Sequence, residues 1–149
     1  MTTHDALLTD RYEIAMLLGY LRSGIASRRA VCELFVRRLP ANRPFLVTAG
    51  LERIVRKLLA LRFTEEEIAH LGAQPALAGA MTPDARRYLR DFRFRGELWA
   101  MPEGTVAFAG EPLLRVEAAL PEAQLVETLL LSIVNHDARV ATKAARIAL

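Results

Sequence analysis

From Pro121 onward the chain reads as one long helical stretch whose apolar residues lie almost all the way round, from Leu125 through Leu129, Leu130, Ile133 and Val134 to Val140, Ala144 and Ala148. A helix that is apolar on every side has no face for water, so it must be buried within a core or between subunits. The most apolar part, Leu125 to Val134, is interrupted by Glu127, Thr128 and Ser132 and falls short of the ~20 apolar residues that cross a bilayer. Protein, not lipid, has to cover it. The pattern runs on to Leu149 with neither a glycine nor an asparagine to cap it. With 52% hydrophobic residues and a positive mean hydropathy, the expectation is apolar surface meant for the rest of a longer protein, another subunit, or both.

The 149 residues suit one domain, able to bury about 68–70% of the surface its unfolded chain would expose. No disulfide framework is available. The single cysteine, Cys32, sits in an apolar run with no adjacent histidine or cationic cluster and reads as a small buried hydrophobe, a usage that fits the cytoplasm. The first residues lack the basic and apolar regions of a signal peptide. A formal charge of +3 comes from 20 basic and 17 acidic side chains spread along the chain. No aromatic residues interleave a basic stripe, which argues against nucleic acid. Arginine far outnumbers lysine, and its fork suits carboxylate and phosphate groups, so small anionic ligands stay open.

Asp10-Arg11-Tyr12-Glu13 has the spacing of a capping box before Ile14, Leu17, Leu18 and Leu21, with Gly24 ending that helix. Arg29 to Arg38 turns β-like, crowded with Val31, Cys32, Leu34, Phe35 and Val36 and closed by Pro40, as in a strand covered on both faces. After a turn at Asn42-Arg43-Pro44, helical spacing links Val47, Leu51, Ile54, Val55, Leu58 and Leu59. Thr64-Glu65-Glu66-Glu67 is a capping box opening a short helix, and Thr82-Pro83-Asp84 opens another toward Asp91. The glycine- and alanine-rich stretch between them reads as a surface connection. Phe94 to Met101, Val106 to Phe108 and Leu113 to Glu117 suggest an antiparallel meander. The fold class is α+β: helices packed on small, mainly antiparallel strands, ending in a long apolar helix.

Chemistry-bearing residues are few. His4, His70 and His136 lie far apart without companions at ligand spacing, so no metal is assigned, and no phosphate loop or dinucleotide fingerprint is present. His136 beside Asp137 has the form of an oriented base, but a lone histidine near a buried helix more often has a structural role. Tyr12, at the mouth of the first helix, offers a flat ring as a ligand platform. Lys143 and Arg146, three apart on one helical face, offer adjacent cations to a phosphate or carboxylate.

Several segments in order resemble one family. They are Leu7-Leu8-Thr9-Asp10-Arg11-Tyr12-Glu13, Glu33 to Pro40, Ala49-Gly50-Leu51-Glu52-Arg53, Tyr88-Leu89-Arg90-Asp91-Phe92, Met101 to Thr105, Glu111 to Val116, Gln124 to Thr128 and Ala141-Thr142-Lys143-Ala144-Ala145-Arg146. Together they resemble the amino-terminal domain of nicotinate phosphoribosyltransferase, a type II phosphoribosyltransferase, over nearly the whole chain. His136-Asp137-Ala138-Arg139 departs from the more apolar, amide-rich stretch of that family.

The resemblance implies transfer of a phosphoribosyl group from phosphoribosyl pyrophosphate to the ring nitrogen of nicotinate, giving nicotinate mononucleotide in NAD salvage. It further implies ATP hydrolysis through a phosphorylated histidine, magnesium on the pyrophosphate, and a homodimer. Tyr12 matches the tyrosine that stacks on nicotinate, delivered across the dimer interface. On this resemblance residues 1–149 are the amino-terminal domain alone. The phosphorylated histidine and the barrel-like catalytic part have no counterpart here, so no catalytic residue is assigned and the chain is expected to be inactive by itself. Relatives that use nicotinamide or quinolinate are the neighbouring enzyme readings. A noncatalytic interaction module that pairs through the apolar carboxy-terminal helix is the rival from another class.

Overall fold

The computed structural model describes residues 5–148, so His4 and Leu149 lie outside the described residues. After a single 3-10 turn (Asp5–Leu7) come α1 (Arg11–Arg22), β1 (Arg29–Phe35), β2 (Leu46–Val47), α2 (Leu51–Ala60), α3 (Glu65–Ala73), α4 (Pro75–Ala78) and α5 (Pro83–Asp91). The second half adds β3 (Glu97–Ala100), β4 (Val106–Ala107), β5 (Pro112–Ala119), α6 (Leu120–Leu125) and α7 (Glu127–Ala148). The α+β expectation holds, with every strand pair antiparallel.

β5 is the middle strand of a three-stranded sheet ordered β1-β5-β3. Its alternation explains that place: Leu114, Val116 and Ala118 are buried on one face, while Arg115 stands exposed on the other. Register aligns Cys32 with Val116 and Leu98, and Leu34 with Leu114 and Ala100. The three short runs do not form a meander. β4 leaves the sheet to pair with β2, because Thr48 fastens the intervening turn: its hydroxyl donates to the Pro102 carbonyl at 2.6 Å, and its own carbonyl accepts from Gly104 at 2.8 Å.

β1 is likewise not covered on both faces. It is an edge strand with only one side toward the core, which leaves Val31, Phe35 and Cys32 exposed. Crowded apolar residues suggested burial, but an edge strand can carry them into the open. Arg29, paired with Glu97 and Glu117, and Arg115, paired with Glu117, lie across the outer face of this sheet.

Helix ends follow the sequence in part. Thr64 and Glu67 close their capping box, Thr82 accepts from Ala85, and Gly24 follows the last turn of α1. Asp10 is the N-cap of α1 but makes no side-chain cap, and Glu13 does not reach back to it. Glu13 is instead drawn into the core by Thr128. Val47 belongs to β2 rather than α2, since Gly50, at φ 101°, turns the chain into that helix. Gly50 brings no side chain to cap with, so Glu103 does it from outside, its Oε1 accepting from the amides of Gly50 and Leu51, each at 2.7 Å.

The alanine-rich connection is no surface loop. α4 lies within it, and Leu77 and Met81 are buried. The long carboxy-terminal helix breaks at Val126 into α6 and α7, because Leu125 and Val126 both turn into the core. α7 is only half covered. Leu129, Leu130, Ile133, Val134 and Ala138 pack inward, whereas Leu131, Val140 and Ile147 are exposed, the last at 77%. Ile14, Leu17 and Leu18 of α1 join Ile54, Leu58, Ile68, Leu89 and Val116 in one continuous core.

A Cβ on Gly50 would lie 2.9 Å from both Ile133 Cγ2 and Asp137 Oδ2, in a left-handed backbone that L side chains resist. Gly50→Ala is therefore expected to lower unfolding stability by about 1–3 kcal/mol in urea denaturation. An unchanged midpoint would contradict this packing of α2 on α7.

Candidate functional site

The amino-terminal end of α1 and the junction of α6 with α7 are held together by side chains far apart in sequence. Thr9 donates to the Leu125 carbonyl at 3.4 Å. Glu13 Oε1 accepts from the Thr128 amide at 3.1 Å and its hydroxyl at 2.8 Å, with Asp10 Oδ2 3.3 Å from the same hydroxyl. Glu13 is 0% exposed, and its Oε2 is buried with no hydrogen-bond partner. Burial raises the pKa of this carboxyl above the ordinary glutamate range. The Thr128 hydrogen bonds oppose that rise, and the charges of Glu127 and Asp10 add to it.

Tyr12, the neighbour of Glu13, faces outward and is 47% exposed. Its phenol pKa lies above the usual tyrosine range, first through partial loss of water, then through the charge and hydrogen bond of Glu127. Glu127 is itself fixed by Gln124 Nε2 at 2.9 Å. Tyr12 is thus half open to solvent, with the Glu127 charge near its phenol. A tyrosine so exposed can stack on a flat ring.

Beside this ring runs a groove between β1 and α7. Two cavities, of about 470 Å³ and about 500 Å³, share Leu34, Phe35 and Leu131 as walls. The first is closed by Cys32, Gln124, Glu127 and Leu130. The second has mainly apolar walls but also carries Asp10, Arg38, Arg43, Thr128, Asn135 and Arg139. Tyr12 lines neither cavity, but Glu127 borders one and Asp10 the other. Arg43 Nε is buried without a hydrogen-bond partner.

Lys143 and Arg146 do not meet Tyr12. Both are exposed, one and two turns beyond Arg139 on the same side of α7, so they extend a basic stripe away from the groove. Sequence reasoning singled out neither Arg38, Arg43 nor Arg139 as a candidate ligand. Their meeting depends on a loop and a helix about a hundred residues apart, and no local spacing encodes it. His136 lies outside the groove as well: its Nδ1 is 2.7 Å from Asp137 Oδ1, which also pairs with Arg53 of α2 at 3.3 Å. The Arg53–Asp137 pair ties α2 to α7, while His136 itself is exposed and pairs with its helix neighbour Asp137. Cys32, expected to be buried, is exposed at the groove edge, and its thiol is pushed up by partial desolvation and by Glu127. Among the described residues no three of His, Cys, Asp and Glu gather as a metal would require, and no helix is long and apolar enough to cross a membrane.

Helices laid on a small antiparallel sheet, with a half-exposed tyrosine and three arginines on a groove at one end, define an α+β domain. The chain matches the nicotinate phosphoribosyltransferase amino-terminal domain over residues 7–135, and it belongs to that family. A nicotinate phosphoribosyltransferase of Mycobacterium tuberculosis is 44% identical over 141 residues, covering 95% of this chain and 30% of the relative. One from Bacillus subtilis is 46% identical, covering 95% of this chain and 28% of its own length. The crystal structure of human nicotinic acid phosphoribosyltransferase superposes with a TM-score of 0.84 at 40% identity, over 93% of this chain and 27% of that one. A nicotinate-nucleotide pyrophosphorylase from Pyrococcus furiosus, at 19% identity and TM-score 0.59, shares the fold. The chain spans less than a third of the length of these proteins.

Removing the Glu127 charge takes away one of the causes that raise the Tyr12 phenol. In Glu127→Gln the midpoint of Tyr12 deprotonation, followed by ultraviolet absorbance against Tyr12→Phe, is expected to fall toward the ordinary tyrosine value. A midpoint that stays or rises would show that Glu127 does not hold the hydroxyl.

Proposed function

We propose that this domain supplies the ring platform of a nicotinate phosphoribosyltransferase, with Tyr12 stacking on nicotinate. The observation that carries this is the half-exposed Tyr12 ring beside a groove whose far end holds Arg38, Arg43 and Arg139. In the reaction the nicotinate nitrogen bonds to the anomeric carbon of phosphoribosyl pyrophosphate as the carbon–oxygen bond to pyrophosphate breaks. Positive charge grows on the sugar and negative charge on the leaving group. Fixed guanidinium groups and an oriented ring are the levers a protein has for such a step. The groove arginines, continued along α7 by Lys143 and Arg146, would meet phosphate or carboxylate.

On this reading the product is nicotinate mononucleotide, in NAD salvage. The family resemblance brings magnesium and ATP to the same protein. By that resemblance their sites lie mostly outside this chain, and no step is drawn through them. Tyr12 is presented to a site in the second subunit of a homodimer. The exposed Leu131, Val140 and Ile147 on α7 suit a protein neighbour. They also keep open the rival reading, a noncatalytic module that only pairs.

Calorimetric titration separates the two. The chain is combined with the carboxy-terminal part of the Bacillus subtilis relative, with phosphoribosyl pyrophosphate and magnesium present, and nicotinate is titrated in. Binding is expected, weakened about tenfold in Tyr12→Ala, which corresponds to the upper end of ring stacking energies. Association of the two polypeptides with no nicotinate binding would favour the pairing module. Equal binding by Tyr12→Ala would remove Tyr12 from the site.

A further inference from the structure

The start of α7 lacks a cap of its own. Val126 precedes it and carries no acceptor, so the first-turn amides would be left without partners. One of them, Thr128, is satisfied from the other end of the sequence by Glu13. Burying a carboxylate is costly, and this one is 0% exposed, takes both Thr128 donors on Oε1, and leaves Oε2 bare beside the charges of Asp10 and Glu127. A neutral residue of similar size would be cheaper to bury.

The two helix starts meet as adjacent pairs. Tyr12 and Glu13 are consecutive on α1, and Glu127 and Thr128 are consecutive on α7. Glu13 bonds Thr128 on the buried side, and Tyr12 stands half-exposed on the other, its phenol pushed up by partial loss of water and by the nearby Glu127 charge. Consecutive residues of a helix point about 100° apart, so fixing the inward direction of Glu13 fixes the outward direction of Tyr12. Gln124 holds Glu127 in turn, and also accepts from Tyr20 at 3.3 Å.

We propose that Glu13 is a positioning residue for Tyr12: by capping α7 across the fold it fixes the first turn of α1 against that helix and so holds the neighbouring Tyr12 ring outward, its face ready for a ligand. The functional weight of this inference rests on Tyr12 being the nicotinate platform, but the positioning itself does not. A ring already immobilised spends less conformational entropy when it stacks.

The test uses the full 149-residue chain with ring-labelled tyrosine, whose signals from Tyr12 and Tyr88 are followed by NMR without any ligand. Tyr88, half-buried on α5 against Phe92, reports the integrity of the fold. In Glu13→Ala the Tyr12 signal is expected to move toward that of free tyrosine, and its deprotonation midpoint to fall, while Tyr88 stays native. Glu13→Gln, which keeps the acceptor for Thr128, is expected to restore Tyr12. A Tyr12 signal unmoved in a folded Glu13→Ala, or a Glu13→Gln that behaves like alanine, overturns the proposal. Should Glu13→Ala unfold the chain, Thr128→Ala keeps the backbone donor and removes the hydroxyl. A smaller shift of Tyr12 there supports the inference, and no shift overturns it. Because nicotinate is absent, a correctly held Tyr12 that binds no nicotinate would defeat the proposed function and leave the positioning role standing.

Discussion

One buried carboxylate decides how the two ends of this chain meet. Glu13 lies fully inside the core and accepts both donors of Thr128, 115 residues away in sequence. Without that acceptor the first turn of α7 has an unsatisfied amide against an apolar interior, and an unmade buried hydrogen bond costs about 1–3 kcal/mol. Where Leu125 and Val126 turn into the core and α6 gives way to α7, the Thr128 amide finds its partner in Glu13. α1 then lies along that junction, with Ile14, Leu17 and Leu18 packed into the common core.

From this contact the site geometry follows. Once Glu13 points inward, Tyr12 must point outward, and Glu127 stands next to its hydroxyl. α7 runs from there past the edge strand β1, and the gap between them becomes the groove that ends in Arg38, Arg43 and Arg139. The edge position of β1 matters for the same reason. A strand covered on both faces would leave no groove, whereas an edge strand leaves Phe35 and Cys32 bordering one. External capping recurs at α2, where Glu103 satisfies Gly50 and Leu51 from another loop. In both places a glutamate distant in sequence completes a helix that cannot complete itself.

Local signals in the sequence were reliable where the physics is local. The Thr64–Glu67 box, the Thr82-Pro83 start and the apolar spacing of Ile54 and Leu58 need only neighbours three or four residues away, and each appears as read. Asp10-Glu13 has the same spacing as a capping box, yet a stronger partner, invisible to any short window, takes Glu13 into the core. Likewise, β4 looks like the middle of a meander until Thr48 and Pro102 draw it to β2. Tyr12 stands half-exposed in the first turn of α1, a place its position in the sequence already indicates. The grouping of Arg38, Arg43 and Arg139 was not legible, since their proximity is a product of the fold. Lys143 and Arg146 are adjacent on their helix as expected, but the helix carries them past the groove.

The central claim is that Glu13 caps α7 from across the molecule, and amide hydrogen exchange at Thr128 tests it most directly. Amides in the first turn of a helix ordinarily exchange at nearly open-chain rates, because nothing within the helix accepts from them. The account predicts that the Thr128 amide is protected to the level of the core amides and loses that protection in Glu13→Ala. Exchange of Thr128 at the open-chain rate in the unaltered chain would contradict it.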